Sequence, residues 1–165
     1  MSDKKIYLPL TDTENILPIL DKIAIFGGLT QKQLHSVFEL LKKISYEKDE
    51  MIFRQGEPPS YIYIIRSGRV KLYVEADTTK LELVEFGIGN CFGESSLIGI
   101  EAHTANAIAV EQTDLIVLSG KTLLSLYNLD PQLYGLIILN IARETSRRLH
   151  QADNILLHYV LGQKT

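Results

Sequence analysis

Glycines crowd around a single carboxylate in the run Gly87-Ile88-Gly89-Asn90-Cys91-Phe92-Gly93-Glu94-Ser95-Ser96-Leu97. Such spacing ends a strand sharply, and a short helical turn opening at Glu94 would present unbonded backbone N–H groups to an anion. An ionised carboxylate accepts hydrogen bonds and donates none, so Glu94 suits the hydroxyls of a sugar diol. Together these features describe a place for a phosphosugar. Glu94 also has a plainer explanation, because the helix dipole alone favours a glutamate in a first turn. The remaining reactive side chains form no site. His35, His103, His150 and His158 show neither the His-x-His nor the His-Glu-x-x-His spacing that brings two imidazoles onto one metal. There is no Gly-x-Ser-x-Gly elbow, and Cys91, between Asn90 and Phe92, reads as a small buried apolar residue. The expectation is no metal, no required cofactor, no catalytic residue and no enzyme.

The elements that must position this run follow from the period of the apolar residues. From 44 to about 119 the pattern is one of short strands parted by Gly, Pro, Asn and Asp, expected around 51–53, 61–65, 70–74, 81–86, 104–110 and 115–118. Val70, Leu72 and Val74 alternate with Arg69, Lys71, Tyr73 and Glu75, which predicts one buried and one wet face. Thr30 to Gln33 has the form of a capping box, and the spacing of Leu34, Val37, Phe38 and Leu41 predicts a helix over 31–43. A shorter helix upstream should lead into Phe26-Gly27-Gly28-Leu29. Asp130-Pro131 opens a helix expected over 131–161, roughly 45 Å long. Along it Ile138, Ala142, Thr145, Leu149, Ala152, Leu156 and Tyr159 form a heptad seam, which either packs on the strands or receives a second helix.

Composition narrows the class. The chain has 165 residues, 45% hydrophobic and 22% charged, which suits one domain with a core large enough to fold without disulfides or metal. A net charge of −3 argues against a dedicated nucleic-acid surface. One cysteine fits a reducing compartment, and Ile6 to Leu10 is too short for a signal peptide or a membrane span, so a cytoplasmic protein is expected.

The segments Gly56-Glu57, Tyr61 through Tyr73 and Gly89 through Leu97, taken together, resemble the cyclic nucleotide-binding domain of the catabolite-activator (Crp/Fnr) type over about residues 23–161. Arg147-Arg148-Leu149 also resembles that family's dimer helix. The resemblance implies an α+β, mainly β fold: an antiparallel, jelly-roll-like β-roll over about 44–119, with N-terminal helices and a long C-terminal helix. Residues 1–22 would form a helical lead-in. It implies a ligand, cyclic AMP or cyclic GMP, between the roll and the C-terminal helix. By position Gly93 and Glu94 fall where the family holds the ribose, with Phe92 and Ser95 beside them as further ligand-binding candidates; His103 falls on the phosphate-binding arginine with Thr104 and Ala105 after it, and Ala152 and Asp153 on the pair that touches the base.

Two departures from the family pattern bear on function. His103 stands where the family has a phosphate-binding arginine, and an unperturbed imidazole is only roughly a quarter protonated at pH 7. Losing one charge-assisted hydrogen bond to phosphate costs about 1.5–3 kcal/mol, or one to two decades of affinity; Arg54, Arg66 or Arg69 would have to replace it. Ala152-Asp153 likewise replace a Thr-Ser pair. The second departure is that only Leu161 to Thr165 follow Val160, too few residues for a winged helix-turn-helix. The expectation is therefore a stand-alone ligand-sensing regulatory module that binds a cyclic nucleotide weakly or another small ligand. It would signal through its C-terminal helix as a homodimer or to an unknown partner protein, with no sequence-specific DNA binding and no membrane association. The alternative is a ligand-free protein–protein interaction scaffold on the same fold; the chain is also compatible with being a fragment of a larger regulator.

Overall fold

The computed structural model describes residues 5–12, 14, 16–76 and 79–162. At its centre lie β4 (Tyr61–Ser67) and β9 (Thr113–Ser119), which pair antiparallel. Both strands are apolar at consecutive positions because both of their faces are covered. Ile62, Ile64, Ile116 and Leu118 meet the helices, whereas Tyr63, Ile65, Leu115 and Val117 meet a second sheet. β1 (Leu8–Pro9), β2 (Lys42–Tyr46), β9, β4 and β7 (Cys91–Phe92) make one five-stranded sheet in that order. β3 (Met51–Phe53), β8 (Asn106–Ala109), β5 (Val70–Ala76) and β6 (Thr79–Phe86) make the facing four-stranded sheet. All pairings are antiparallel. The result is the mainly β roll with flanking helices that the sequence implied.

On the outer face of the five-stranded sheet sit two short 3-10 helices (Leu17–Lys22 and Ala24–Phe26), α1 (Gln31–Phe38), α2 (Glu94–Gly99), α3 (Gly120–Leu129) and α4 (Pro131–Gly162). Thr30 caps α1 as expected: its Oγ1 accepts from the Gln33 amide at 3.3 Å, and the Gln33 side chain accepts from the Thr30 amide at 2.9 Å. The helix stops at Phe38 instead of continuing to 43, because Lys42–Tyr46 pairs with β9 from Val117 to Thr113. Tertiary pairing overrides helical periodicity there. The stretch expected as a helical lead-in contains β1, whose Leu8 and Pro9 lie opposite Lys43 and Lys42, ahead of the first 3-10 helix. Residues 1–4 lie outside the described residues.

Two further readings change. Tyr73 is buried, not wet: Lys80 Nζ lies 3.7 Å from its ring centroid, and its hydroxyl lies 3.5 Å from Met51 Sδ. α3 is an element the sequence pattern does not predict; Ser119 caps it by accepting from the Thr122 amide at 3.0 Å. α4 starts at the expected cap, where Asp130 Oδ1 accepts from the Leu133 amide at 2.9 Å. It packs on the roll through Leu133, Ile137 and Ile141, and Asn140 Nδ2 donates to the carbonyls of Ile25 and Gly27. The heptad seam is not this face. Ile138 is partly buried, but Ala142, Thr145, Leu149, Ala152, Leu156 and Tyr159 are exposed, so the seam does not pack on the strands.

Candidate functional site

β7 pairs with β4, Phe92 opposite Tyr63 and Cys91 opposite Ile64, and so delivers the chain to Gly93 against the inner strand. Gly93 has φ +81°, and a Cβ there would come 3.0 Å from the Tyr61 carbonyl oxygen and 3.1 Å from Tyr63 Cδ2. Only glycine meets both conditions without strain. The next residue, Glu94, starts α2 and is only 2% exposed. Glu94 Oε1 accepts a hydrogen bond from Arg148 Nη1 of α4 at 2.8 Å, while Oε2, equally buried, has no hydrogen-bond partner among the described residues.

Arg148 ties the long helix to this turn. Its Nη2 donates to the Cys91 carbonyl at 2.6 Å, its Nε donates to Glu144 Oε1 at 2.9 Å, and its guanidinium lies 4.6 Å from the Phe86 ring centroid. Glu144 is buried and takes a further bond from Arg147, whose side chain is mostly exposed. Two buried carboxylates thus share one largely enclosed guanidinium. Burial pushes the Glu94 carboxyl above the usual glutamate range, and the Arg148 charge pulls it back part of the way. Burial raises the Cys91 thiol to about 12, which keeps it protonated and unreactive.

His103 is built in from the other side. Its amide donates to the Glu57 carbonyl at 2.9 Å, and its carbonyl accepts from the Gly56 amide at 2.8 Å, which clamps it to the 56–57 turn. The residue is 4% exposed and its ring lies flat on Phe53, with centroids 3.7 Å apart and planes within 7°. Phe53 in turn contacts Tyr63 and Phe92, and Phe92 stacks on Tyr63 at 5.0 Å. Burial lowers the imidazole's proton affinity below the ordinary histidine value, against a weaker opposing pull from Glu57. His103 therefore carries less charge at pH 7 than an unperturbed imidazole would.

The sequence-predicted residues separate into three groups. Phe92, which leads into Gly93 and Glu94, is joined through Phe53 to His103, and Ala105, two residues after His103, is buried. Ser95 and Thr104 are exposed next to this group. Ala152 and Asp153 are not brought to it within one chain: residues 149–162 of α4, beyond the anchor at Arg148, are all exposed. Two of the three substitute cations are engaged elsewhere. Arg66 pairs with Asp12 at 2.5 Å, Arg69 pairs with Glu85 and Glu111, and Arg54 is exposed. Sequence reasoning missed the roles of Arg148, Glu144, Phe53 and Phe86. The i, i+4 spacing of Glu144 and Arg148 was a signal, but the 54-residue separation of Glu94 from Arg148 left none. Among the described residues no three His, Cys, Asp or Glu are grouped to hold a metal ion, and no helix is long and apolar enough to cross a membrane.

The family profile described as "Cyclic nucleotide-binding domain" matches residues 43–130, more than half of the chain. The chain belongs to the cyclic nucleotide-binding domain family. As such a domain it is 31% identical over 130 residues to the cyclic AMP receptor protein of Thermus thermophilus, covering 78% of this chain and 58% of that protein. It is 33% identical over 96 residues to the cGMP-dependent protein kinase egl-4 of Caenorhabditis briggsae, covering 57% of this chain and 13% of that protein. The domain thus spans less than two thirds of the length of these relatives. Its fold matches a solved cyclic nucleotide-binding domain from Methylobacillus flagellatus with a TM-score of 0.82, at 23% identity and over 93% of this chain and 88% of that one.

Proposed function

We propose that this cyclic nucleotide-binding domain is a ligand-sensing regulatory module: it holds a cyclic nucleotide weakly, or another small ligand, at Gly93, Glu94 and residues 103–105, and signals through α4. The observation that supports this best is the Glu94–Arg148 pair. Glu94 is the residue suited to accept a ligand hydroxyl, and its Oε1 accepts a hydrogen bond from the long helix. A ligand that bonds Glu94 alters the pairing that anchors α4, and thereby shifts the population of helix positions. No catalytic step is proposed. The test is native mass spectrometry of the freshly purified chain, together with hydrogen exchange across residues 143–162 before and after ligand addition. The reading expects a bound mass lost in Glu94→Gln and a change in exchange along α4. A ligand-bound protein whose α4 exchange is unchanged would remove the signalling role, and a chain that carries and takes up no ligand would leave the ligand-free scaffold alternative.

The exposed seam supports a homodimer as the form in which α4 works. Leu149, Leu156 and Tyr159 are each more than 60% exposed on a helix of 32 residues, roughly 48 Å long. Light scattering should give twice the chain mass at micromolar concentration, and Leu149→Asp should reduce it to one chain. A monomer, or a dimer indifferent to Leu149→Asp, refutes the pairing.

A further inference from the structure

We infer that the cleft between α2, the start of α3 and the 58–60 segment docks an extended peptide of a partner protein, one that carries two apolar side chains between an acidic and a basic residue. Two adjoining cavities, of about 500 and about 390 Å³, share Pro59 and Leu97 in their lining and so form one continuous cleft. Leu40, Tyr61 and Val117 add apolar surface to the first; Pro58, Ile100 and Ala102 add it to the second. A Cβ at Gly120 would come 3.0 Å from Leu97 Cδ1, so α2 packs directly on the start of α3 and the cleft is already formed. Glu94 and His103 line neither cavity, and the docking holds whether or not a ligand reaches them.

The charges at the two ends select the occupant. Lys42 and Lys121 line the first cavity, both exposed and neither with an ion-pair partner among the described residues. Glu101 lines the second, likewise exposed and unpaired. The Gly120 amide already donates to the Ser60 carbonyl at 3.2 Å and the Thr122 amide to Ser119 Oγ at 3.0 Å, so the lysines, not the helix end, attract an anion there. One end therefore favours a carboxylate and the other a cation, with apolar surface between them. In an extended chain, side chains two residues apart point the same way at a spacing of roughly 7 Å, so one apolar side chain can enter each cavity. The charged residues then stand one step outside, within reach of the long lysine stems. A simple carboxylic acid would satisfy the lysines and leave Glu101 unmatched.

Amide NMR spectra of the full chain test this with two capped peptides, Asp-Leu-Ser-Leu-Lys and its reversed sequence, which cover both chain directions. One of them should shift the signals of residues 97–102 and 119–122 saturably at millimolar concentration, and less strongly as salt is raised. The double variant Lys42→Glu with Lys121→Glu should bind it about tenfold or more weakly, and a peptide with Lys in place of Asp should recover the loss. Glu101→Lys, at the other end, should weaken the original peptide independently; each variant is checked for folding by thermal melting. Absence of saturable shifts with either peptide, shifts confined to other residues, or binding indifferent to both charge reversals overturns the docking site. Hexanoate binding as tightly as the peptide overturns the peptide and assigns the cleft to a small amphiphilic acid. Movement of the same signals on dilution without peptide assigns it to a second copy of the chain, and equally overturns the proposal. The ligand role of Glu94 is untouched by these outcomes, since native mass spectrometry reads it separately.

Discussion

Replacing Arg148 with alanine should cost this domain about 3 kcal/mol. The substitution leaves Glu94, whose side chain is 3% exposed, without its guanidinium and Glu144, 5% exposed, with Arg147 alone, and removes a donor from the Cys91 carbonyl. Removing one partner of a buried ion pair costs about 3–5 kcal/mol, and the lower end applies because the Arg148 side chain is itself 23% exposed, so water reaches the gap. For a domain of this length that is a fall of about 6–12 °C in melting temperature. The loss should also depend on pH. Burial already lifts the folded-state pKa of Glu94 above its unfolded value, with Arg148 opposing. A carboxyl with a raised folded pKa loses its proton first in the unfolded chain, so stability falls as pH rises through the unfolded value and levels off above the folded one. Without Arg148 the lift is greater, and the deficit of the variant should be smaller near pH 5 than at pH 7.5. Arg148→Lys, which retains the charge but not the fork, should lose an intermediate amount. Urea denaturation of the three proteins at both pH values measures this. A deficit under about 1 kcal/mol at pH 7.5, or one of equal size at both pH values, would refute the view that Arg148 neutralises two buried carboxylates.

Two backbone substitutions should move stability in opposite directions. Gly93→Ala places a Cβ 3.0 Å from the Tyr61 carbonyl at φ +81°, and should destabilise by about 2 kcal/mol in chemical denaturation; an unchanged midpoint would show that the turn yields. Ile100 is a β-branched residue at φ +54° and is 89% exposed, so Ile100→Gly relieves strain while giving up little burial, and should raise stability by about 0.5–1 kcal/mol, read as a higher urea midpoint.

What the sequence determined by itself is what depends on neighbours along the chain. The capping box at Thr30, the cap and proline that start α4, the strand runs separated by turn residues, and the Phe92-Gly93-Glu94 turn all follow from local backbone chemistry, and the family resemblance rides on the same short segments. Tyr73, α3 and the early end of α1 escaped because a side chain from another strand, a cap shared with a strand end and a pairing 75 residues away decided them. The site divides in the same way. That a carboxylate stands at Glu94 and a histidine at 103 is plain in the sequence. That one oxygen of Glu94 is bonded to Arg148 and the other left without a partner is a tertiary fact, as is the flat stacking of His103 on Phe53. Desolvation and charge sharing depend on which distant groups are brought within a few ångströms, and only the folded chain brings these together.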